Sequence, residues 1–205
     1  MAFTHSQTED ATMDTVGRYG DVMKIETTGA SAATARQDGN NQIFGKPASI
    51  ELAKTDLERM NGYKDIIIKV GRKTGMDPAV IAGIISRASR AGSHWVMVDG
   101  WNANRDVFGL MQISKQWHKL KGEWNSKKHI KQGTGILIDS IGIIQNKFPK
   151  WTKEQQLKGG IAAYCAGPQN VPADYEKVDE NTFAKDYSND VVARAQFYRE
   201  QGFHL

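Results

Sequence analysis

The stretch that decides the fold runs from residue 77 to residue 114 and reads DPAVIAGIISRASRAGSHWVMVDGWNANRDVFGLMQIS. Asp77 is a favourable N-cap residue, and Pro78 suits the first helical position. Isoleucines follow at residues 81, 84 and 85, a spacing that makes one face of a helix apolar. The pattern predicts a helix from Asp77 to about Arg90, with Ala88 as the next position on the apolar face.

A second motif, Phe108-Gly109-Leu110-Met111-Gln112, lies near the end of the stretch, after a polar loop over residues 92–107. The most strand-like residues of the chain are 95–98 and 110–113. Asp99-Gly100 between them is typical of a tight turn. We therefore predict a small irregular β-sheet in this part of the chain.

Helices are predicted on both sides of this stretch. Ser or Thr N-caps and periodic apolar residues mark most of them, Gly75 ends one and Pro149 follows another. The predicted helices span residues 49–60, 63–73, 126–147, 152–164 and 188–201. Residues 1–18 are predicted to be a disordered tail, and 19–45 an extended segment wrapped on a single domain over 19–205. The predicted fold class is mainly α with a small β element.

The composition is that of a globular chain with one core. The chain has 205 residues, of which 40% are apolar and 24% charged, and no stretch is apolar enough to span a membrane. The net charge of +4 is a small excess that is most simply ordinary surface charge, although it would favour an anionic partner such as a bacterial wall or nucleic acid by electrostatic steering. A single cysteine, Cys165, excludes an internal disulfide. Residues 1–21 do not resemble a secretory signal, and the compartment stays open.

Other kinds of site are not predicted. The five histidines lack metal-ligand spacing, and no phosphate-loop pattern is present. A nucleophile pair of Cys165 and His118 would have no third group to orient it. We therefore expect no metal or other cofactor, no nucleic acid or membrane partner, and a monomer.

Several motifs, in the right order, resemble goose-type lysozymes, a family related to the bacterial soluble lytic transglycosylases. The resemblance covers about residues 19–203 and is to a form without disulfide bonds. The matching segments are Tyr19–Lys24, Thr27–Ser31, Ile84–Gly92, Gly100-Trp101, Phe108–Gln112, Gln155–Tyr164 and Asn189–Gln196. The resemblance implies an α+β lysozyme-like fold, with a helical domain and a small sheet beside a substrate groove.

This chain departs from the family at the positions of its carboxylates. The family motif Ser-Arg-Glu-Ser carries the general acid, and Ala88 stands at that Glu. The family's Gly-Trp-Gly-Asp becomes Gly-Trp-Asn-Ala, which puts Ala103 at an Asp position. Ser114 stands where a second Asp often follows. The resemblance implies inverting hydrolysis of the β-1,4 bond between N-acetylmuramic acid and N-acetylglucosamine, and we predict that this chain is strongly impaired or inactive.

A general acid in glycoside hydrolysis must stay protonated near neutral pH, and burial among apolar groups raises the pKa of a carboxyl. Position 88 suits a Glu in that role, since it continues the apolar face near the end of a helix, where the macrodipole disfavours a carboxylate. Ala88 has no proton to donate. Asp106 and Asp99 are candidate substitutes, but Asp99 beside a glycine is more typical of a turn and Asp106 beside Arg105 of a solvated ion pair.

The resemblance also implies a sugar-binding set. It comprises Gln112 of the second motif, His118, Tyr164, Cys165 in place of a family Asn, and Tyr187. Aromatic faces and polar groups suit N-acetyl sugars. Two alternatives stay open, namely that Tyr164 is a core residue and that His118 lies in an exposed loop. Trp95, Trp117 and Trp124 are either groove walls or ordinary packing residues.

Three hypotheses follow for the function. The first is a goose-type lysozyme scaffold that binds bacterial peptidoglycan or N-acetylglucosamine oligomers without its catalytic carboxylates. The second is a working glycosidase that uses a substitute acid such as Asp106. The third is a non-catalytic interaction protein that binds no sugar.

Overall fold

The computed structural model describes residues 16–39 and 42–205, and these form a mainly helical fold with one small sheet. The helices are α1 (Ala32–Ala35), α2 (Gly45–Asn61), α3 (Lys64–Thr74), α4 (Pro78–Ser89), α5 (Lys127–Lys147), α6 (Lys153–Ala166) and α7 (Tyr187–Glu200). The strands are β1 (Val107–Phe108) and β2 (Ile113–Ser114). The predicted fold class is confirmed. Within the described residues, none of the helices is both long and apolar enough to cross a membrane.

The predicted helix ends are largely confirmed. The Asp77 carboxylate accepts a hydrogen bond from the Ala79 N–H at 2.9 Å, with Pro78 in the first turn. The predicted N-caps before α5 and α6 also accept from backbone N–H groups. Gly75 ends α3 with a left-handed φ of 78°.

The start of α2 differs from the prediction. Ser49 was expected to begin this helix, but α2 begins at Gly45 and Ser49 lies buried inside it. The Ser49 hydroxyl donates to the Asp190 carboxylate at 2.7 Å. The serine therefore serves a buried contact rather than a helix cap.

The sheet is confirmed in kind, but of the predicted strand residues only Ile113 lies in a paired strand. The predicted Asp99-Gly100 turn is present, with φ of 52° and 84° and an isolated bridge between Val98 and Trp101. The paired strands are β1 and β2, with Val107 opposite Ser114. Residues 110–112 instead form the turn between the strands, in which the Gln112 N–H donates to the Gly109 carbonyl at 3.0 Å and both of these residues have positive φ.

The N-terminal segment lies against the domain. Of the predicted tail, residues 1–15 lie outside the described residues, and the Arg18 N–H donates to the Gly75 carbonyl at 2.8 Å. The Gln196 side chain of α7 donates to the carbonyls of Val22 and Ile25 at 3.0 and 2.9 Å. These bonds hold the start of the 19–45 segment on α7.

Helix α4 packs closely against α7. At Gly83, an added Cβ would lie 2.8 Å from the Val191 carbonyl oxygen and 3.1 Å from the Ala195 Cβ. Such distances leave no room for a side chain. Gly83 therefore permits the close approach of the two helices, and α4 is buried at every position except Ala88.

A buried set of ion pairs fixes the C-terminal half of α4. Asp190 of α7, which is fully buried, accepts from Arg87 at 2.7 Å, from Arg194 at 3.0 Å and from Ser49 at 2.7 Å. Burial by itself raises the pKa of Asp190, but the charges of Arg194 and Arg87 outweigh burial and hold that pKa below its usual value. Helices α2, α4 and α7 meet at this carboxylate.

A second buried carboxylate extends the set. Asp56 of α2 accepts from the Ser86 hydroxyl at 2.7 Å and from the Arg90 guanidinium at 3.0 Å. The Arg194 guanidinium donates to the Ser86 hydroxyl at 3.1 Å and thereby joins the two carboxylate centres. The end of α4 is thus held by charges that water does not screen.

We expect Asp190→Ala to lower the free energy of unfolding by about 3–5 kcal/mol, because it leaves buried guanidinium groups without their partner. Denaturant unfolding followed by circular dichroism measures this loss. The matched control is Glu51→Ala, which removes the exposed Glu51–Lys54 pair and should change stability by about 1 kcal/mol or less. Equal effects of the two substitutions would contradict the structural role of the buried carboxylate.

Candidate functional site

Ala88 is the one residue of α4 that is not buried. The sequence placed it on the apolar face of residues 81, 84 and 85, and those isoleucines are fully buried. Ala88 itself is half-buried, because α4 ends at the next residue and Arg90 turns the chain with a left-handed φ of 52°. Position 88 therefore lies where the core helix reaches the surface, and its burial is less complete than the pattern predicted.

The residues on either side of Ala88 contact different parts of the site. Arg87 donates to Asp186 at 2.9 Å and to the Phe183 carbonyl at 3.4 Å, and its guanidinium lies 5.3 Å from the centre of the Tyr187 ring. Ser89 donates through its hydroxyl to the Leu110 carbonyl at 2.8 Å. Ala88 thus lies between the segment that leads into α7 and the turn between the strands.

The turn from Phe108 to Gln112 is held from below by a buried histidine. The His129 Nε2 accepts from the Met111 N–H at 3.0 Å, so the neutral ring carries its proton on Nδ1. Burial lowers the pKa of His129 to about 4. At Gly109, with a φ of 80°, an added Cβ would lie 2.3 Å from the His129 ring. A side chain at 109 would therefore displace either the histidine or the turn.

Tyr164 joins the same turn to α6. Its hydroxyl donates to the Met111 carbonyl at 2.7 Å, and the residue is half-buried. Gln112 adopts a φ of 47°, and its side-chain amide donates to the Gly109 carbonyl at 2.8 Å. Tyr164 and Gln112, two members of the predicted sugar-binding set, therefore meet at one turn, although the side chain of each already binds a backbone carbonyl there.

Cys165 and Tyr187 lie on the Arg87 side of Ala88. Burial raises the pKa of the Cys165 thiol, and the Phe183 backbone and Arg87 oppose that rise. Burial also raises the pKa of Tyr187, which packs under the Arg87 guanidinium with only 7% of its surface exposed. Tyr187 presents little surface to a ligand and serves mainly to seat Arg87.

The remaining predicted residues lie in or beside the hairpin of β1 and β2, called the ribbon below. Ala103 is exposed in the loop before β1, and Ser114 lies in β2. His118 is half-buried, and its N–H donates to the Ser114 carbonyl at 3.1 Å. The ribbon therefore brings Ala103, Ser114 and His118 to one part of the fold.

Asp106 is exposed and bound to its own loop. Its carboxylate accepts from the Asn102 side-chain amide at 2.6 Å, while Arg105 lies over the Trp101 ring at 5.5 Å. The ion pair expected between Arg105 and Asp106 is thus replaced by these two contacts. An exposed, amide-bound carboxylate is the opposite of the apolar setting that a general acid needs.

Backbone strain concentrates around these segments. Among the described residues, the non-glycine positions with positive φ lie at the end of α4, in the ribbon with its turn, and in the loop before α7. They are Arg90, Ala91, Asp99, Arg105, Gln112, Ala184 and Lys185. Strained conformations of this kind cluster at functional sites.

Sequence reasoning missed the residues that support the site. His129 lies one position before Ile130 on the buried face of α5, where a polar residue is a signal. Asp186, Asp190 and Arg194 recur every four residues, which places them on one helical face. Among the described residues, no cluster of His, Cys, Asp or Glu is arranged to hold a metal ion. A separate depression beside α2 and α7 includes Met23, Lys46 and Phe197 and none of the site residues.

Comparison with known proteins gives one consistent family. The family described as lysozyme g matches residues 19–202. Lysozyme g of Struthio camelus is 54% identical over 187 residues, which are 91% of this chain and 90% of that protein. Lysozyme g of Cyprinus carpio is 52% identical over 90% of this chain and 98% of that protein. Lysozyme g-like protein 2 of Homo sapiens is 42% identical over 91% of this chain and 82% of that protein.

We expect His129 to make stability fall as the pH is lowered from about 6.5 to 4. Its folded pKa lies below the unfolded value, so the unfolded state binds more protons in that range, and the loss amounts to about 3 kcal/mol. Urea unfolding at several pH values, compared with His129→Gln, isolates this loss. Asp77, whose pKa burial raises to about 6, contributes a slope of opposite sign that cancels in the comparison. Identical pH slopes in the two proteins would contradict the assignment.

We expect Tyr164→Phe to lower the free energy of unfolding by about 1–2 kcal/mol, because the buried Met111 carbonyl loses its donor. Binding of N-acetylglucosamine oligomers, measured by calorimetry, should weaken as well, because the turn that carries Gln112 is loosened. The control is Tyr175→Phe, since the Tyr175 ring packs against Trp151 and no hydrogen bond of its hydroxyl is found within the described residues. Tyr164→Phe with unchanged stability and unchanged affinity would contradict the role of the hydroxyl.

Proposed function

Because the chain belongs to the lysozyme g family, we propose that it binds the N-acetyl-sugar chains of bacterial peptidoglycan but hydrolyses them slowly or not at all. The observation that carries the proposal is Ala88, half-buried at the end of α4, which the resemblance puts at the family's general-acid position. The residues around that position are held by hydrogen bonds and ion pairs. These are the Arg87 ion pairs, the hydrogen bond from Ser89 to the Leu110 carbonyl, and the bonds of His129 and Tyr164 to the turn.

The chemistry explains why this one position matters most. In an inverting glycosidase, one carboxylic acid protonates the leaving oxygen and a second carboxylate activates water on the other face of the sugar. Ala88 cannot perform the first step. By the same resemblance, Ala103 and Ser114 correspond to the positions of the other carboxylates, and neither side chain can act as a base. Sugar binding through aromatic and polar groups requires no proton transfer, so we expect binding to be separable from hydrolysis.

Two alternatives have less support. A working glycosidase with Asp106 as its acid would need a buried carboxyl, whereas Asp106 is exposed and bound to Asn102. In that case the unaltered chain would lyse bacterial walls, and Asp106→Asn would abolish that lysis. A non-catalytic interaction protein would not respond to titration with N-acetylglucosamine oligomers.

We expect Ala88→Glu to recover part of the lysis of a bacterial wall suspension, followed as loss of turbidity. A general acid contributes about 10²–10⁴-fold to the rate, and the new side chain fits because Ala88 is half-exposed. The matched control is Ala88→Gln, which adds the same bulk without a proton to donate. Oligomer binding should be similar in all three proteins.

The outcomes separate the hypotheses. Lysis by Ala88→Glu but not by Ala88→Gln supports a lysozyme scaffold without its acid. Equal rates for the two variants would contradict the proposal. Lysis by the unaltered chain at a comparable rate would mean that another residue delivers the proton.

A further inference from the structure

The positive charge of the chain is concentrated in one segment. Residues 105–131 contain seven Lys or Arg residues and two acidic residues, a net charge of +5, whereas the whole chain has +4. The remaining residues therefore carry a net charge of −1. The seven cations are Arg105, Lys115, Lys119, Lys121, Lys127, Lys128 and Lys131, all of them exposed. We call them the basic face.

The structure brings most of the basic face together at the start of α5. The Gln132 side chain donates to the Lys119 carbonyl at 2.9 Å and accepts from the Lys121 N–H at 3.0 Å. At Gly122, an added Cβ would lie 2.9 Å from the Lys128 Cβ. The loop that carries Lys119 and Lys121 therefore lies directly on the first turns of α5.

Within residues 16–39 and 42–205, these cations form no ion pair with a carboxylate. Lys127 and Lys128 occupy the first turn of α5, which contains no acidic residue. Cations are unfavourable at a helix N-terminus, and Lys127 also repels Lys131 one turn later. The basic face thus opposes helix stability, and a bound anion would relieve that repulsion.

The basic face adjoins the candidate sugar site. Lys115 follows Ser114 of β2, and Lys119 follows His118. Lys115 and Arg105 both lie over the Trp101 ring, each at 5.5 Å. A polymer that is attached to a glycan chain could therefore contact both surfaces at once.

We propose that the basic face binds a polyol-phosphate polymer of the kind that bacterial walls carry on their glycan chains. This inference rests on the proposed function for its choice of polymer. Six of the seven cations are lysines, which act as point charges on flexible stems and suit an irregular chain of phosphates. Duplex nucleic acid has the same phosphate chemistry, but nothing in the proposed function would bring it to the sugar site.

The test uses synthetic poly(glycerol phosphate) without attached sugar, titrated at about 50 and about 200 mM salt. The test protein carries Lys121→Gln, Lys127→Gln and Lys128→Gln. The matched control carries Lys69→Gln, Lys73→Gln and Lys150→Gln, three exposed lysines outside the basic face. Both proteins lose the same net charge.

We expect the test protein to lose at least about tenfold in affinity, and its slope of log affinity against log salt to decrease by about 2. The control should change by less than about threefold. The thermal midpoint of the test protein should be unchanged or higher, because repulsion in α5 is removed. A lower midpoint would overturn the electrostatic argument.

Three further results would overturn the proposal, namely no binding of the polymer, equal losses in the two triple variants, and tighter binding of duplex DNA than of poly(glycerol phosphate) at the same salt. N-acetylglucosamine oligomer binding is measured in parallel and should be unchanged in both variants. Polymer binding without oligomer binding would keep the basic face and overturn only the proposed function.

Discussion

The buried ion pairs between α4 and α7 are the constraint on which the rest of the structure depends. Asp190 forms ion pairs with both Arg87 and Arg194, and Asp56 forms one with Arg90. Charges removed from water are tolerated only when their partners are held in place, so these pairs require three helices to meet in one arrangement. The segment that emerges from that arrangement is the end of α4. The same contacts that stabilise the domain therefore orient the candidate site.

The candidate site combines a turn held by hydrogen bonds with several strained backbone conformations. Under the turn, His129 and Tyr164 bind the two backbone groups of Met111. Around it, residues such as Gln112 and Ala184 adopt left-handed conformations, each unfavourable by on the order of 1 kcal/mol or more. Such conformations persist only when the surroundings impose them. The contacts of the surrounding residues thus hold the turn and the end of α4 in place.

Much of the fold could be predicted from the sequence, because helix signals are local. The caps at Asp77, Ser126 and Thr152 and the stop at Gly75 depend on neighbouring residues alone, and all four are present. Contacts between distant residues could not be predicted in the same way. Ser49 was mistaken for the start of a helix, because its sequence neighbours do not reveal its buried partner, Asp190, 141 positions away. The strand residues were largely misplaced because the turn at Met111 is held by His129 and Tyr164, which are distant in sequence. The half-burial of Ala88 depends on where α4 ends.

The hydroxyl of Tyr164 sets a rule of direction for any ligand that reaches it. A phenol has a single proton, and this one is directed at the Met111 carbonyl. The oxygen keeps its capacity to accept. A sugar group that approaches Tyr164 must therefore present a donor, such as an O–H or an acetamido N–H, and cannot present a bare carbonyl. Under the proposed function, the tyrosine would thus select how the ring of a bound N-acetyl sugar is turned.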